Sequence, residues 1–200
     1  VAKSFLNAAL AVMCSASTAL AQDVEKADPY GQPSVAYLTQ FVTQEGKSFV
    51  YERYDAKGAL TQRDVKAMTT AVTVGSATER SINGQGYRLR GLRACPELKV
   101  TYQAEEWDCQ KAAADYAGAV YGRASVVLCK TLVLKSVAGK QDPVSCFALL
   151  GAGNAVEPYK VYNDDDSMVF LGLADIGKTD AGQSLRPDLS HSKTLGESFQ

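Results

Sequence analysis

Apolar and polar positions fall into short, regularly interrupted runs from residue 69 onward, the pattern of a strand-rich domain. Thr69 to Thr73 is β-branched and apolar and predicts a strand broken at Gly75-Ser76. Ile82-Asn83-Gly84-Gln85 predicts a hairpin, because asparagine and glycine both tolerate the positive φ of a two-residue turn. Tyr87, Leu89 and Leu92 continue the apolar side of the next strand. The period then changes. Cys109, Ala113, Tyr116 and Val120 recur at helical spacing, which predicts a helix over 107–123 opened by Trp107 or Asp108 and capped near Gly122. Ser125 to Leu134 and Asp142 to Leu150 predict two further strands, joined across the polar loop 136–141. Ser167 to Ala174 closes the series as a short helix.

The flanks are less regular. Ser34 to Val42 predicts a short helix, with Val35, Leu38 and Val42 on one side, and Ser48 to Tyr54 alternates like a strand. Asp55-Ala56-Lys57-Gly58 is a turn, and Ala59 to Met68 fits strand or helix equally. The aromatics Tyr37, Phe41, Phe49, Tyr51 and Tyr54 are read as core packing rather than a ligand-facing stripe. Residues 22–70 therefore form an N-terminal extension, partly strand, to a domain over 71–176. Residues 177–200, polar and poor in large apolar side chains, are expected as an extended or partly disordered tail.

Composition changes the picture only at the N-terminus. The chain is 46% hydrophobic and 22% charged with a net charge of −1, so no global basic field draws it to nucleic acid. Residues 1–21 are different in kind: Lys3, the apolar run Phe5 to Met13, then Ala19-Leu20-Ala21. That is the form of a secretory signal peptide, and it implies a periplasmic or secreted protein with no transmembrane span once it is removed.

Removing residues 1–21 also removes Cys14 and leaves Cys95, Cys109, Cys129 and Cys146, an even set that points to two disulfides. The midpoint of Cys129 and Cys146 falls inside the loop between their two strands, so in a symmetric hairpin they stand opposite each other. Cys95 and Cys109 would then close the segment before the helix. With no C-x-x-C and the single histidine at His191, no metal site is expected.

From about Ala71 to Ala174 the chain resembles the staphylococcal-nuclease-like (thermonuclease) family. YRLRGLRACPE (Tyr87–Glu97) is similar to the family's R-L-x-G-I-D-A-P-E strand and loop. WDCQKAA (Trp107–Ala113) with SVVLC (Ser125–Cys129) and DPVSC (Asp142–Cys146) resemble the helix and closing strands of its exported, cysteine-containing members. SMVFLGLA (Ser167–Ala174) is similar to its final helix. The resemblance implies an α+β, mainly β fold: a five-stranded OB-type barrel capped by helices. It also implies a Ca²⁺-dependent phosphodiesterase centre.

This sequence departs from that centre. Arg93 stands where the family places a metal-binding aspartate, and the earlier turn, Gly75 to Glu79, has no aspartate. Glu97 is displaced by one residue from the general-base position, and the second catalytic arginine would fall near Gln141. Only Arg88 stays in register. Each missing part removes several kcal/mol of transition-state stabilisation. The expectation is a pseudoenzyme acting as a binding or structural module without a cofactor. Its partner would be an unknown protein or a small anionic ligand, with nucleic acid not favoured. Two alternatives stand beside it: a divergent Ca²⁺-dependent nuclease using Arg88 and Glu97, and an accessory subunit of an envelope complex.

Two clusters could add chemistry. Arg88, Arg90 and Arg93, with Arg80 and Lys99 nearby, could bind an anion, since Arg88 and Arg90 share a strand face. Asp164-Asp165-Asp166 could ligate Ca²⁺, but three acids before a helix are read as capping it.

Overall fold

The computed structural model describes residues 30–102, 105–133, 143–151, 153 and 157–199. The expected signal peptide and the loop 136–141 lie outside the described residues.

The sheet is built around three strands: β1 (Ser48–Tyr54), whose neighbour β2 (Leu60–Ala67) returns antiparallel, and further along the chain the long pair that follows the main helix. Between them run the hairpin-linked strands β3 (Thr73–Ser76), β4 (Glu79–Ile82) and β5 (Gln85–Leu89), then β6 (Leu92–Ala94), the ribbon β7 (Lys99–Tyr102) with β8 (Glu105–Asp108), and a helix, Cys109–Arg123. Next come β9 (Ala124–Leu132), β10 (Pro143–Gly151) and β11 (Tyr159–Asn163), a helix over Asp164–Phe170, and β12 (Ala174–Ile176). In chain order the helices are α1 (Val35–Thr39), α2 (Cys109–Arg123), α3 (Asp164–Phe170) and α4 (Ser190–Phe199). The sheet order is β2-β1-β9-β10-β5-β4-β3, with β11 sharing the outer edge of β10.

Period-two alternation decides what covers each face. Phe49, Tyr51, Val127, Cys129, Cys146 and Ala148 point into the main core, which α2 seals with Cys109, Ala113, Ala117, Val120 and Tyr121. Val50, Val126, Leu128 and Leu149 point the other way and are covered by Leu38 of α1. The central strands are therefore buried on both faces and read as near-continuous apolar runs. The β4–β5 turn has φ +50° at Asn83 and +79° at Gly84, the two-residue geometry the sequence predicts. Residues 60–67, which fit strand or helix by pattern, are strand β2.

The fold is α+β with two disulfides. Cys95–Cys109 spans a separation of 14 residues, and Cys129–Cys146 joins directly opposed residues of β9 and β10 with Cα atoms 4.2 Å apart. Disulfides are a feature of oxidising compartments. No helix among the described residues is long and apolar enough to cross a membrane.

Five expectations need correction, the first being the strand expected over Thr69–Thr73 and broken at Gly75-Ser76, which instead spans Thr73–Ser76. The main sheet has eight strands, and its strand path stays open between β2 and β3 instead of closing as a five-stranded barrel. The reason is β1, which pairs in parallel along β9 and takes the edge that closure would need. Asn83, in the β4–β5 turn, bonds to the chain at the end of β2, donating from Nδ2 to Ala67 O (2.9 Å) and accepting from Thr69 N at Oδ1 (3.0 Å). Residues 177–199 are not an extended tail: Pro187–Leu189 form a 3-10 turn and α4 packs on α3, with Gly196 buried against Phe170. The final helix starts earlier than expected, at Asp164, and ends at Phe170, because Asn163 caps it by accepting from Asp166 N. Gly122 does not cap α2, which runs to Arg123 and passes without a loop into β9.

Candidate functional site

Arg88, Arg90 and Arg93, which could share an anion site, stand in three different environments. Arg88 lies exposed on β5, opposite Glu79 on β4 and Pro143 on β10. Arg90, just beyond that strand, is half-buried with its guanidinium carbon 3.4 Å from the Tyr30 ring centre. Arg93 on β6 is exposed and pairs with Asp175 across the β6–β12 ladder at 2.9 Å. Glu97 lies in the exposed turn after Cys95, in a polar cleft of about 520 Å³. Lys99, Thr101, Asp175, Lys193 and Glu197 also line this cleft, and Arg88 does not. Of the two nuclease candidates, Glu97 lines this cleft and Arg88 is not among its lining residues. The expected position of the second arginine, Gln141, lies outside the described residues.

Asp175 is the centre of the polar cleft. One oxygen accepts from Arg93 and the other from Lys193 at 2.6 Å. Burial pushes its carboxyl up, but the Lys193 and Arg93 hydrogen bonds outweigh this and hold it below the ordinary carboxylate range. Arg93 thus gives its guanidinium to a carboxylate, Asp175.

On the other side of the β7–β8 ribbon lies an apolar cleft of about 440 Å³, lined by Val100, Trp107, Ala112, Asp115, Tyr116, Leu171 and Leu173. Tyr116, expected on the buried face of α2, is partly exposed here, while Ala117 and Tyr121 take the core positions. The ribbon separates the two clefts and contributes Val100 to both.

The aspartate run does more than cap α3. Asp164 is fully buried and receives Arg80 Nε at 2.8 Å and Nη2 at 2.9 Å, with Tyr121 Oη donating at 2.6 Å. The remaining Arg80 donor capacity goes to the carbonyls of Ser76, Ala77 and Glu79. Asp165 accepts from Ser145 Oγ (2.6 Å) and from Arg186 Nη1 (2.5 Å), and Arg186 donates from Nε and Nη2 to Asp188. Its Oδ1 is buried without a partner among the described residues. Burial pushes the Asp165 carboxyl up to about 6, against the lowering by the Arg186 charge and the Ser145 bond. Two acids adjacent in sequence therefore bolt the β4 hairpin and the C-terminal segment onto one helix start.

A third buried charge, Glu52, accepts from Tyr37 Oη, Tyr54 Oη (2.6 Å) and Arg63 Nε (2.8 Å), tying α1 to β1 and β2. Sequence reasoning missed Glu52, Arg80 and Arg186 as structural residues. The one available signal for Glu52 was a carboxylate directly after the apolar run Phe49–Tyr51 in Ser48 to Tyr54.

Among the described residues, no group of three or more histidine, cysteine, aspartate or glutamate side chains is placed to hold a metal ion. Compared with protein families, with curated proteins and with solved structures, the chain finds no match.

Proposed function

We propose that this chain is an exported, disulfide-braced binding module on a thermonuclease-like scaffold whose hydrolytic centre has been dismantled. The observation that carries this reading is the Arg93–Asp175–Lys193 bridge: Arg93 stands where the resemblance implies a metal-binding aspartate, and Asp175, the carboxylate it meets, gives both oxygens to basic side chains. Phosphodiester cleavage by this route needs a hard cation held by carboxylates together with arginine donors aimed at the same phosphate. Here Glu97 lines the polar cleft, while Arg88 sits on β5 opposite Glu79 and is not among that cleft's lining residues.

An OB-type ancestry is supported by connectivity. A three-strand meander, β3-β4-β5, leads through α2 to an antiparallel pair, and the second strand of that pair meets β5 in parallel at Arg88↔Pro143 and Leu89↔Val144. The added β1–β2 hairpin opens the barrel. The partner is a protein or a small anionic ligand in the periplasm or outside the cell. Plasmid nicking and single-strand digestion with millimolar Ca²⁺ test the reading, with no cleavage expected. Cleavage abolished by both Arg88→Ala and Glu97→Gln would establish the divergent nuclease instead.

A further inference from the structure

The two disulfides sit in opposite physical settings. Cys129 and Cys146 are both fully buried at the centre of the β9–β10 ladder, so no thiolate reaches either sulfur without unfolding the sheet. Cys95 is half-buried and leads directly into the exposed residues Pro96, Glu97 and Leu98, the last 87% exposed. Its backbone is held at φ +44°, a left-handed conformation that a side-chain-bearing residue rarely adopts. Its partner Cys109 is fully buried and is the first residue of the 15-residue helix α2, at the end where the helix dipole favours negative charge.

We propose that Cys95–Cys109 is a thiol–disulfide exchange site for a dithiol partner, with Cys95 the attacked sulfur and Cys109 the leaving thiolate. The partner's thiolate forms a bond to Cys95 Sγ as the Cys95–Cys109 bond breaks. The electron pair leaves on Cys109, whose thiolate the start of α2 stabilises, and a lower thiol pKa makes a faster leaving group. The partner's second thiol then attacks the mixed disulfide, releasing the Cys95 thiolate. The partner dithiol is oxidised and this disulfide is reduced, two electrons in all.

The consequence is local. The segment between the two cysteines is the β7–β8 ribbon, whose outward side chains are mostly exposed and whose Lys99–Glu106 pair lies on the surface. An exposed pair of this kind holds little. At the ribbon's base Cys109 N donates to Leu98 O at 3.0 Å. Opening the disulfide frees the wall of the apolar cleft that Val100 and Trp107 supply, while Cys129–Cys146 keeps the main sheet closed.

The test is native-state reduction of the full chain by dithiothreitol, with alkylation of released thiols and peptide mapping. Cys95 and Cys109 are expected to be alkylated at least tenfold faster than Cys129 and Cys146, with unchanged far-ultraviolet circular dichroism. Trp107 is the only tryptophan, so its emission reports ribbon release directly. A monothiol probe should be trapped on Cys95. Asp108→Asn keeps the N-cap and removes the charge beside Cys109, and should speed exchange roughly twofold. Simultaneous opening of both disulfides, prior opening of Cys129–Cys146, or trapping on Cys109 would overturn the proposal. An equal or slower rate in Asp108→Asn would overturn Cys109 as the leaving group.

Discussion

Arg80 and Asp164 lie 84 residues apart in the chain and meet in a two-pronged ion pair with neither side chain exposed to solvent. Arg80 comes from the strand before the Asn83-Gly84 turn and Asp164 from the first turn of α3, so the pair fastens the meander to the C-terminal half. Removing one partner strands the other charge in the core, whereas replacing both by apolar groups removes the desolvation cost as well. Arg80→Met or Asp164→Asn alone should lower the unfolding free energy by roughly 3–5 kcal/mol in urea titrations. Arg80→Met combined with Asp164→Leu should recover most of that loss. A single variant losing less than about 1 kcal/mol would show that the pair does not hold the two halves together.

Asp165 sets the pH dependence near neutrality. Its carboxyl is pushed up to about 6 from an ordinary 3.8 by burial, so the folded state takes up a proton at a higher pH than the unfolded chain does. Its contribution to stability is fully present below 3.8 and is lost as pH rises through about 6. Asp175 and Asp188 are held below the ordinary range and act in the opposite sense, their contributions falling away as the solution becomes more acidic than 3.8. Urea midpoints measured from pH 4 to pH 8 should therefore decline as the pH rises from 4 through about 6 and level off above it, and Asp165→Asn should flatten that decline.

Gly196 marks the closest approach of α4 to α3. A Cβ there would stand 2.0 Å from Phe170 O and 2.8 Å from its carbonyl carbon, both backbone atoms that cannot rotate away. Gly196→Ala should undock α4, costing about 1–3 kcal/mol and accelerating amide exchange from residue 190 onward. Gly118 on α2 has open space around it, so Gly118→Ala should instead stabilise the protein by about 0.5–1 kcal/mol.

Cys129 and Cys146 close a separation of 17 residues between two core strands. Replacing both with alanine should cost roughly 3 kcal/mol, read as a lower melting temperature, with the sheet retained. Loss of the folded state altogether would mean that the cross-link supplies most of the stability margin.

Local chemistry was legible in the chain. Asn83-Gly84 specified its turn, the apolar runs at 125–134 and 142–150 gave the paired central strands, and the symmetric placement of Cys129 and Cys146 about their loop gave the disulfide. Each of these follows from nearest-neighbour sterics or from counting along one hairpin. Ser190 to Phe199 was harder because a helix with one narrow apolar edge, docked through a glycine, leaves little hydrophobic signal.

The sequence by itself determined the strand-rich character, the hairpin, the main helix and the cysteine pairing, because steric preference and side-chain period act over a few residues. Only the tertiary structure decided that β1 would lie along β9 and hold the sheet open, that Arg93 would turn to Asp175, and that Asp164 and Asp165 would each bury a distant arginine. Those outcomes depend on which surfaces meet in three dimensions, where desolvation makes an unpaired charge intolerable and a correctly placed partner decisive.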